Sequence, residues 1–479
     1  MKYRKLLYTP VLCLSLVACN KIINIKETDV IAGDVALKTV ANNEQAIIGA
    51  YTGLGTEMGI LLNATLADEV KKGEFYNAGT THEWQYSSTD VGIRDNFTAI
   101  NPYYKTIDRV NRVLIALPKA DSTRATDPAI RTRLRGEALF LRAFCHYEVL
   151  RYYCGNYAAD SLAMYYIETP SLTPQARITM KPYFDKLLAD LAAAKSLVPD
   201  NLTEVGRVTK LAVTGLQARV ALFMRNWTDA ITYSSEYING LPLSSRATFS
   251  GIWSDANNNE VAFKLIRTSG YTRIGSLFRA TSSNATTLGT VTWLASDKLW
   301  NSYDKTNDIR FSVYFKDESL LSNSSPARPS HLIAKYAGGG YGSSTENLND
   351  NKIFRTGEMY LIRAEAKAES TDLLGAATDI NTLRAARITG YVGLPAYASR
   401  DAAITDIMLE RYKELAYEGF RFWDLRRKNL PVERLASDAP TATEASRVLP
   451  ANNFRFLLPI PNTEIQANRL IQQNPGYAN

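Results

Sequence analysis

The strongest constraint in this sequence is a pair of apolar-periodic segments, each interrupted once, whose inner faces carry alanine. Residues 208–239 divide at Asn226-Trp227-Thr228. Thr228 is placed to cap a second helix, which predicts a helical hairpin of Lys210–Arg225 followed by Asp229–Tyr237. Residues 355–387 repeat the arrangement, with Tyr360-Leu361-Ile362-Arg363-Ala364-Glu365-Ala366 leading to a second helix at Ala376–Arg387. Ala212, Ala218 and Ala221 in the first hairpin, and Ala364, Ala366 and Ala368 in the second, let two backbones approach closely. Each hairpin leaves an apolar stripe that only further elements can cover.

Other segments supply such cover. Ala46, Ile47, Ala50, Tyr51 and Leu54 recur at helical steps within 43–62. Residues 99–117 carry Ile100, Tyr103, Tyr104, Ile107, Val110 and Leu114, and in 128–153 Leu134, Ala138, Leu141 and Cys145 fall along one face. The paired helices resemble tetratricopeptide units, spaced too irregularly for an array of about 34-residue repeats. Between the hairpins, 241–350 is rich in glycine and loop-like, ending in Gly338-Gly339-Gly340, with β-like pieces at Val261–Ile266 and Phe311–Phe315. A long irregular insertion in a helical domain is uncommon unless functional. The fold expected is mainly α: a tetratricopeptide-like helical-hairpin scaffold with long irregular loops and a few short β-strands.

The N-terminus reads as an export signal. Lys2, Arg4 and Lys5 precede the apolar run Leu6–Val17, which is far shorter than the roughly 20 residues of a membrane-spanning helix. The run ends in Leu16-Val17-Ala18-Cys19, a lipobox pattern in which the Cys19 thiol accepts diacylglycerol. Residues 1–18 are therefore expected to be a lipoprotein signal peptide, 19–42 a lipidated leader, and 43–479 one ligand-binding domain with the insertion 241–350. Of the net charge of +7, three positive charges leave with the signal, giving 7 − 3 = +4. Bases and acids are otherwise interspersed with no basic stripe, which sets nucleic acid aside. Cys145 and Cys154 remain in the body and read as buried free thiols. No spacing suggests zinc, no cofactor fingerprint is present, and the acidic-amide runs Asn257–Glu260 and Asn347–Asn351 offer oxygen ligands for calcium but read more simply as polar turns.

The densest motif is Glu410-Arg411-Tyr412-Lys413-Glu414-Leu415-Ala416-Tyr417-Glu418-Gly419-Phe420-Arg421-Phe422-Trp423-Asp424-Leu425-Arg426-Arg427. Its acids and bases alternate at helical spacing, which predicts local i,i+3 and i,i+4 pairs, and Gly419 is placed to end the helix as a left-handed cap. This segment resembles the SusD/RagB family of nutrient-binding outer-membrane lipoproteins. The likeness extends to Arg142-Ala143-Phe144, to Arg355–Ala368, to Asp379-Ile380-Asn381-Thr382-Leu383-Arg384, and to the tail Pro459-Ile460-Pro461, Glu464-Ile465 and Gln473-Asn474-Pro475-Gly476-Tyr477. The resemblance implies a partner, a SusC-like TonB-dependent transporter over which the lipoprotein sits as a lid. It also implies an oligosaccharide ligand, or a peptide as in the RagB branch, and an outward-facing place on the outer membrane. The matching motifs carry scaffold and transfer no ligand contact.

Sugar recognition needs flat aromatic faces and convergent polar groups. Two loop regions supply them. One holds Asp68, Phe75, Tyr76, Trp84, Tyr86 and Arg94; the other holds Tyr271, Arg273 and Trp293 near the turn at Gly339. The expected ligand-binding set is Trp84 with Trp293 as platform, flanked by Tyr76, Tyr86 and Tyr271, with Asp68. The opposing reading is that loop aromatics pin their loops to the core. A surface glycosidase is the rival function, since two carboxylates across a glycosidic bond would suffice. Against it, no nucleophile elbow or phosphate loop appears, and His82, His146 and His331 show no metal spacing. A structural subunit whose loops only contact the transporter is the third reading.

Overall fold

The structure, a computed structural model, describes residues 36–73, 79–97, 99–439 and 444–478. The signal peptide, Cys19, Phe75 and Tyr76 lie outside the described residues. Among those described, no helix is long and apolar enough to cross a membrane.

The expected helix over 43–62 is two helices, α1 (Val40–Thr52) and α2 (Glu57–Leu66). Gly53 caps α1 at its C-terminus and the chain turns through Gly55, both weak helix formers. Next come α3 (Ile100–Ala116), α4 (Asp127–Tyr153) and α5 (Met180–Leu197), the last not foreseen from the sequence. From Gly136 onward α4 is buried almost all round, with α3 and α5 packed on it. A Cβ at Gly136 would lie 2.7 Å from Val198 Cγ1, so glycine lets the segment after α5 close onto α4.

The two alanine-lined hairpins form as expected: α6 (Lys210–Met224) with α7 (Trp227–Gly240), and α8 (Thr356–Glu369) with α9 (Leu373–Ala385). α7 packs on α8, and α10 (Arg400–Glu414) covers α8 in turn. The fold is thus mainly α, a stack of helical hairpins. The cap of α7 is Asn226 and not Thr228. Arg225 turns left-handed (φ 58°) and ends α6, so Asn226 is next in line, its side chain accepting from the Asp229 N–H at 3.2 Å.

The insertion is closed at its base by an antiparallel pair, β2 (Val261–Leu265) with β6 (Asn351–Arg355). Phe354 stacks on Phe263 and meets Phe140 and Phe144 edge-on, at centroid separations of 6.4 and 6.5 Å. Three further two-stranded pairs are β1 (Val70–Lys72) with β3 (Trp293–Ala295), β4 (Phe315–Asp317) with β5 (His331–Ile333), and β7 (Val432–Glu433) with β8 (Val448–Leu449). The β-like Phe311–Phe315 is instead mostly helical, because the Asp308 side chain caps a short helix, Ile309–Tyr314, by accepting from the Arg310 N–H.

The charged C-terminal motif forms an ion-pair network, but almost none of it is local. Glu414 accepts from Arg310, Arg355 and Arg387, each at 3.1 Å, with all four side chains buried. Glu410 pairs with Arg310 at 2.5 Å and Arg384 at 2.7 Å, and Glu418 with Arg355 and Lys335, both at 2.7 Å. The motif thus sews α10 to the insertion and to the β6–α8–α9 segment. Burial alone would raise the Glu410 carboxyl, but Arg310 and Arg384 outweigh it and hold it at about 2. Gly419 is left-handed (φ 82°), yet α10 has already ended at Glu414. Its glycine is needed instead for close approach, since a Cβ there would lie 3.2 Å from the Gly59 backbone of α2. Beyond it, α11 (Arg421–Arg427) turns Phe422 and Trp423 inward. Cys145 and Cys154 are buried and free.

Candidate functional site on the loop face

The β1–β3 pair brings the two candidate loop regions together, with Val70 opposite Ala295 and Lys72 opposite Trp293. The His82 ring lies 5.1 Å from that of Trp293. The aromatic faces, however, point into the protein. Trp84 is 4 % exposed, Trp293 5 %, Tyr86 1 % and Asp68 1 %. Trp84 Nε1 donates to the Leu66 carbonyl at 2.9 Å beneath the Arg434 guanidinium, and the Tyr86 hydroxyl donates to the Arg455 carbonyl. Asp68 is held by Arg421 and Lys298, both at 2.8 Å; burial raises its carboxyl, but the two cations pull it well below the carboxylate range.

The expected platform of Trp84 and Trp293, with Tyr86 and Asp68 beside it, is therefore an internal fastening. Segments this poor in apolar residues hold to the core through the few large rings they have, and each buried polar tip then needs a partner. Beside Asp68, burial pushes the Glu69 carboxyl up to about 8, although the Tyr417 N–H donates to it at 3.0 Å. Its second oxygen has no hydrogen-bond partner among the described residues.

Tyr271 alone of the described candidates keeps part of its ring at the surface, 5.5 Å from the Arg267 guanidinium. Sequence reasoning missed its counterpart Tyr341, also half-buried, which follows directly on the Gly338–Gly340 turn. The two tyrosines stand on loops that are laced together. Arg273 donates to the Glu346 and Ser344 carbonyls at 2.7 and 2.8 Å, while Arg279 pairs with Glu346 and reaches Asn347 Oδ1 at 2.8 Å. Burial would raise the Glu346 carboxyl, but Arg279 and the N–H groups of Gly342 and Ser282 lower it overall. Lys316 and Arg279 lie 4.8 and 5.0 Å from the Tyr341 ring, and its hydroxyl bonds Glu318. Such a face offers aromatic area beside fixed charges and backbone groups, which suits hydroxyl-rich ligands. Among the described residues no cluster of three or more His, Cys, Asp or Glu could hold a metal.

Two family models match the chain in succession. Residues 31–222 match the one described as "Starch-binding associating with outer membrane", and residues 290–477 the one described as "SusD family". No curated protein matches the sequence. Solved structures with the same fold include a SusD superfamily protein from Bacteroides thetaiotaomicron (23 % identity, 91 % of this chain and 100 % of that one, TM-score 0.76). A SusD-like carbohydrate binding protein from Bacteroides vulgatus is 20 % identical over 90 % of this chain and 97 % of that one, with a TM-score of 0.73. Surface glycan-binding protein A from Bacteroides fluxus is 20 % identical over 91 % and 99 %, with a TM-score of 0.70. At these identities the structural likeness speaks for the fold. With the two family models lying in order over most of the sequence, and the helical-hairpin fold agreeing with both, the chain belongs to the SusD/RagB family.

Proposed function

We propose that the chain is a cell-surface nutrient-binding lipoprotein, held in the outer membrane through Cys19 and facing outward. Residues 43–479 act as one ligand-binding unit that captures an oligosaccharide and passes it unaltered to a SusC-like TonB-dependent transporter. The observation that carries this reading is the pair of family matches over residues 31–222 and 290–477, the first of them described as starch-binding and associating with the outer membrane. The loop face supports it through Tyr271 and Tyr341, held on loops that Arg273 and Arg279 lace together. Tyr76, which lies outside the described residues, stays in the proposed ligand-binding set.

Calorimetric titration of the purified protein against a pool of neutral glycans and a pool of peptides tests the reading, with product analysis alongside. Glycan binding that Tyr271→Ala and Tyr341→Ala weaken, with the glycan recovered intact, is expected. Cleaved products would make the protein an enzyme, and heat with peptides alone would move it to the peptide-binding branch.

A further inference from the structure

The helical side of the molecule holds a cavity of about 410 Å3, lined by none of the loop-face residues and within the roughly 300–1,000 Å3 usual for small-molecule sites. It opens where the α6–α7 junction, α8, the start of α10 and the end of α11 meet. Trp227, the first residue of α7, and Arg225, the left-handed residue that ends α6, both line it. The indole is half-buried and Arg225 is exposed.

The charges of the lining are nearly all matched. Arg427 grips Glu365 with two donors, one at 2.7 Å; Lys428 pairs with Glu369 at 2.5 Å, and Arg400 with Asp401 at 3.1 Å. Arg225 makes no ion pair among the described residues, so the cavity carries one cation in excess. In its wall, the buried Oδ1 of Asn156 accepts no hydrogen bond among the described residues.

We infer that this cavity is a second binding site, one that takes an acidic sugar unit, with the Trp227 indole against the C–H face of the ring and Arg225 on its carboxylate. The ligand class, a saccharide, rests on the proposed function; the acidity and the place do not. A guanidinium presents a planar fork that fits a carboxylate with two bonds, and a neutral sugar would leave that charge unmatched. The lining carboxylates of Glu369 and Asp401, which reach the surface, are acceptors suited to the hydroxyl donors of a sugar. A peptide C-terminus shares the carboxylate, and a free-carboxylate tripeptide serves as the comparison that separates the two.

The test is calorimetric titration of the full chain with α-1,4-linked trigalacturonate and with its fully methyl-esterified form. Arg225→Gly removes the fork without straining a left-handed backbone. The wild type should bind the acid about tenfold more tightly than the ester, and Arg225→Gly should abolish that preference. Trp227→Ala should weaken both forms about tenfold, and Trp227→Phe should restore most of the loss. Equal affinity for acid and ester in the wild type, or loss of acid binding in Tyr271→Ala alone, overturns the site. A free-carboxylate tripeptide that binds in place of the sugar and is lost in Arg225→Gly overturns the ligand class. Neutral glycans binding at the loop face with no heat from trigalacturonate would sink this inference and leave the capture reading standing. No binding by any glycan would sink both.

Discussion

The guanidinium of Arg310 lies 2.5 Å from the carboxylate of Glu410, and neither side chain reaches solvent. Arg310 comes from the insertion and Glu410 from α10, so this bond fixes the insertion to the scaffold. The same arginine also pairs with Asp308 and Glu414. Arg310→Met should therefore take one cation from each of three buried carboxylates, which keep only Arg384, Arg355 with Arg387, and Lys413 between them, and cost on the order of 3–5 kcal/mol, the usual penalty for breaking a buried pair from one side. Denaturant unfolding of the two proteins measures it; a loss under about 1 kcal/mol would mean water already reaches the network.

Glu69 makes stability depend on pH in a defined window. Its carboxyl titrates near 4.5 in the unfolded chain and near 8 in the folded one. Between those values the folded protein keeps a proton that the unfolded chain has released, so stability is full below 4.5 and falls as pH rises towards 8. Glu69→Gln cannot titrate, and its stability relative to the wild type should climb across this window by on the order of 4 kcal/mol. Unfolding curves at pH 5 and pH 8 decide it; a constant difference would mean the carboxyl is ionised throughout.

The burial of Trp293 separates structure from binding. Trp293→Ala should cost on the order of 3–5 kcal/mol, as for other large rings removed from a core, while glycan affinity measured well below the melting temperature stays the same. A selective loss of affinity with unchanged stability would restore this ring to the ligand face.

Much of this was legible in the sequence, and the limits are physical. The hairpins α6–α7 and α8–α9 could be read because helix periodicity is a local property, and Ala364 or Ala218 announces a close crossing wherever its partner lies. The partners of Glu410 and Glu414 could not, because Arg310, Arg355 and Arg387 are brought to them by the fold and are distant in sequence. The loop face failed for a different reason. A tryptophan whose indole N–H will meet the Leu66 carbonyl and one that will stack on a sugar are the same residue in the same kind of segment. The β1–β3 pairing that decides between them is a three-residue ladder with no signature of its own. Tyr341 was overlooked although the turn before it was noted, since exposure is a property of the assembled surface.

Anchoring has a direct test. Cys19→Ala removes the only atom that can accept the lipid at the lipobox, and the protein should move from the membrane fraction to the soluble one while its melting temperature is unchanged. Retention of the variant in the membrane fraction after a carbonate wash would assign the attachment to something other than Cys19.

The β2–β6 ladder sets Val261 opposite Arg355 and Leu265 opposite Asn351, so the chain leaves for the insertion and comes back through one narrow doorway. Lengthening or shortening the polypeptide between those strands moves neither doorpost. Inside the doorway Arg310 and Lys335 stay tied to Glu410 and Glu418, so the loops strung between these fixed points can be exchanged while the helices keep their places, and the molecule can change what it holds without relearning how to fold.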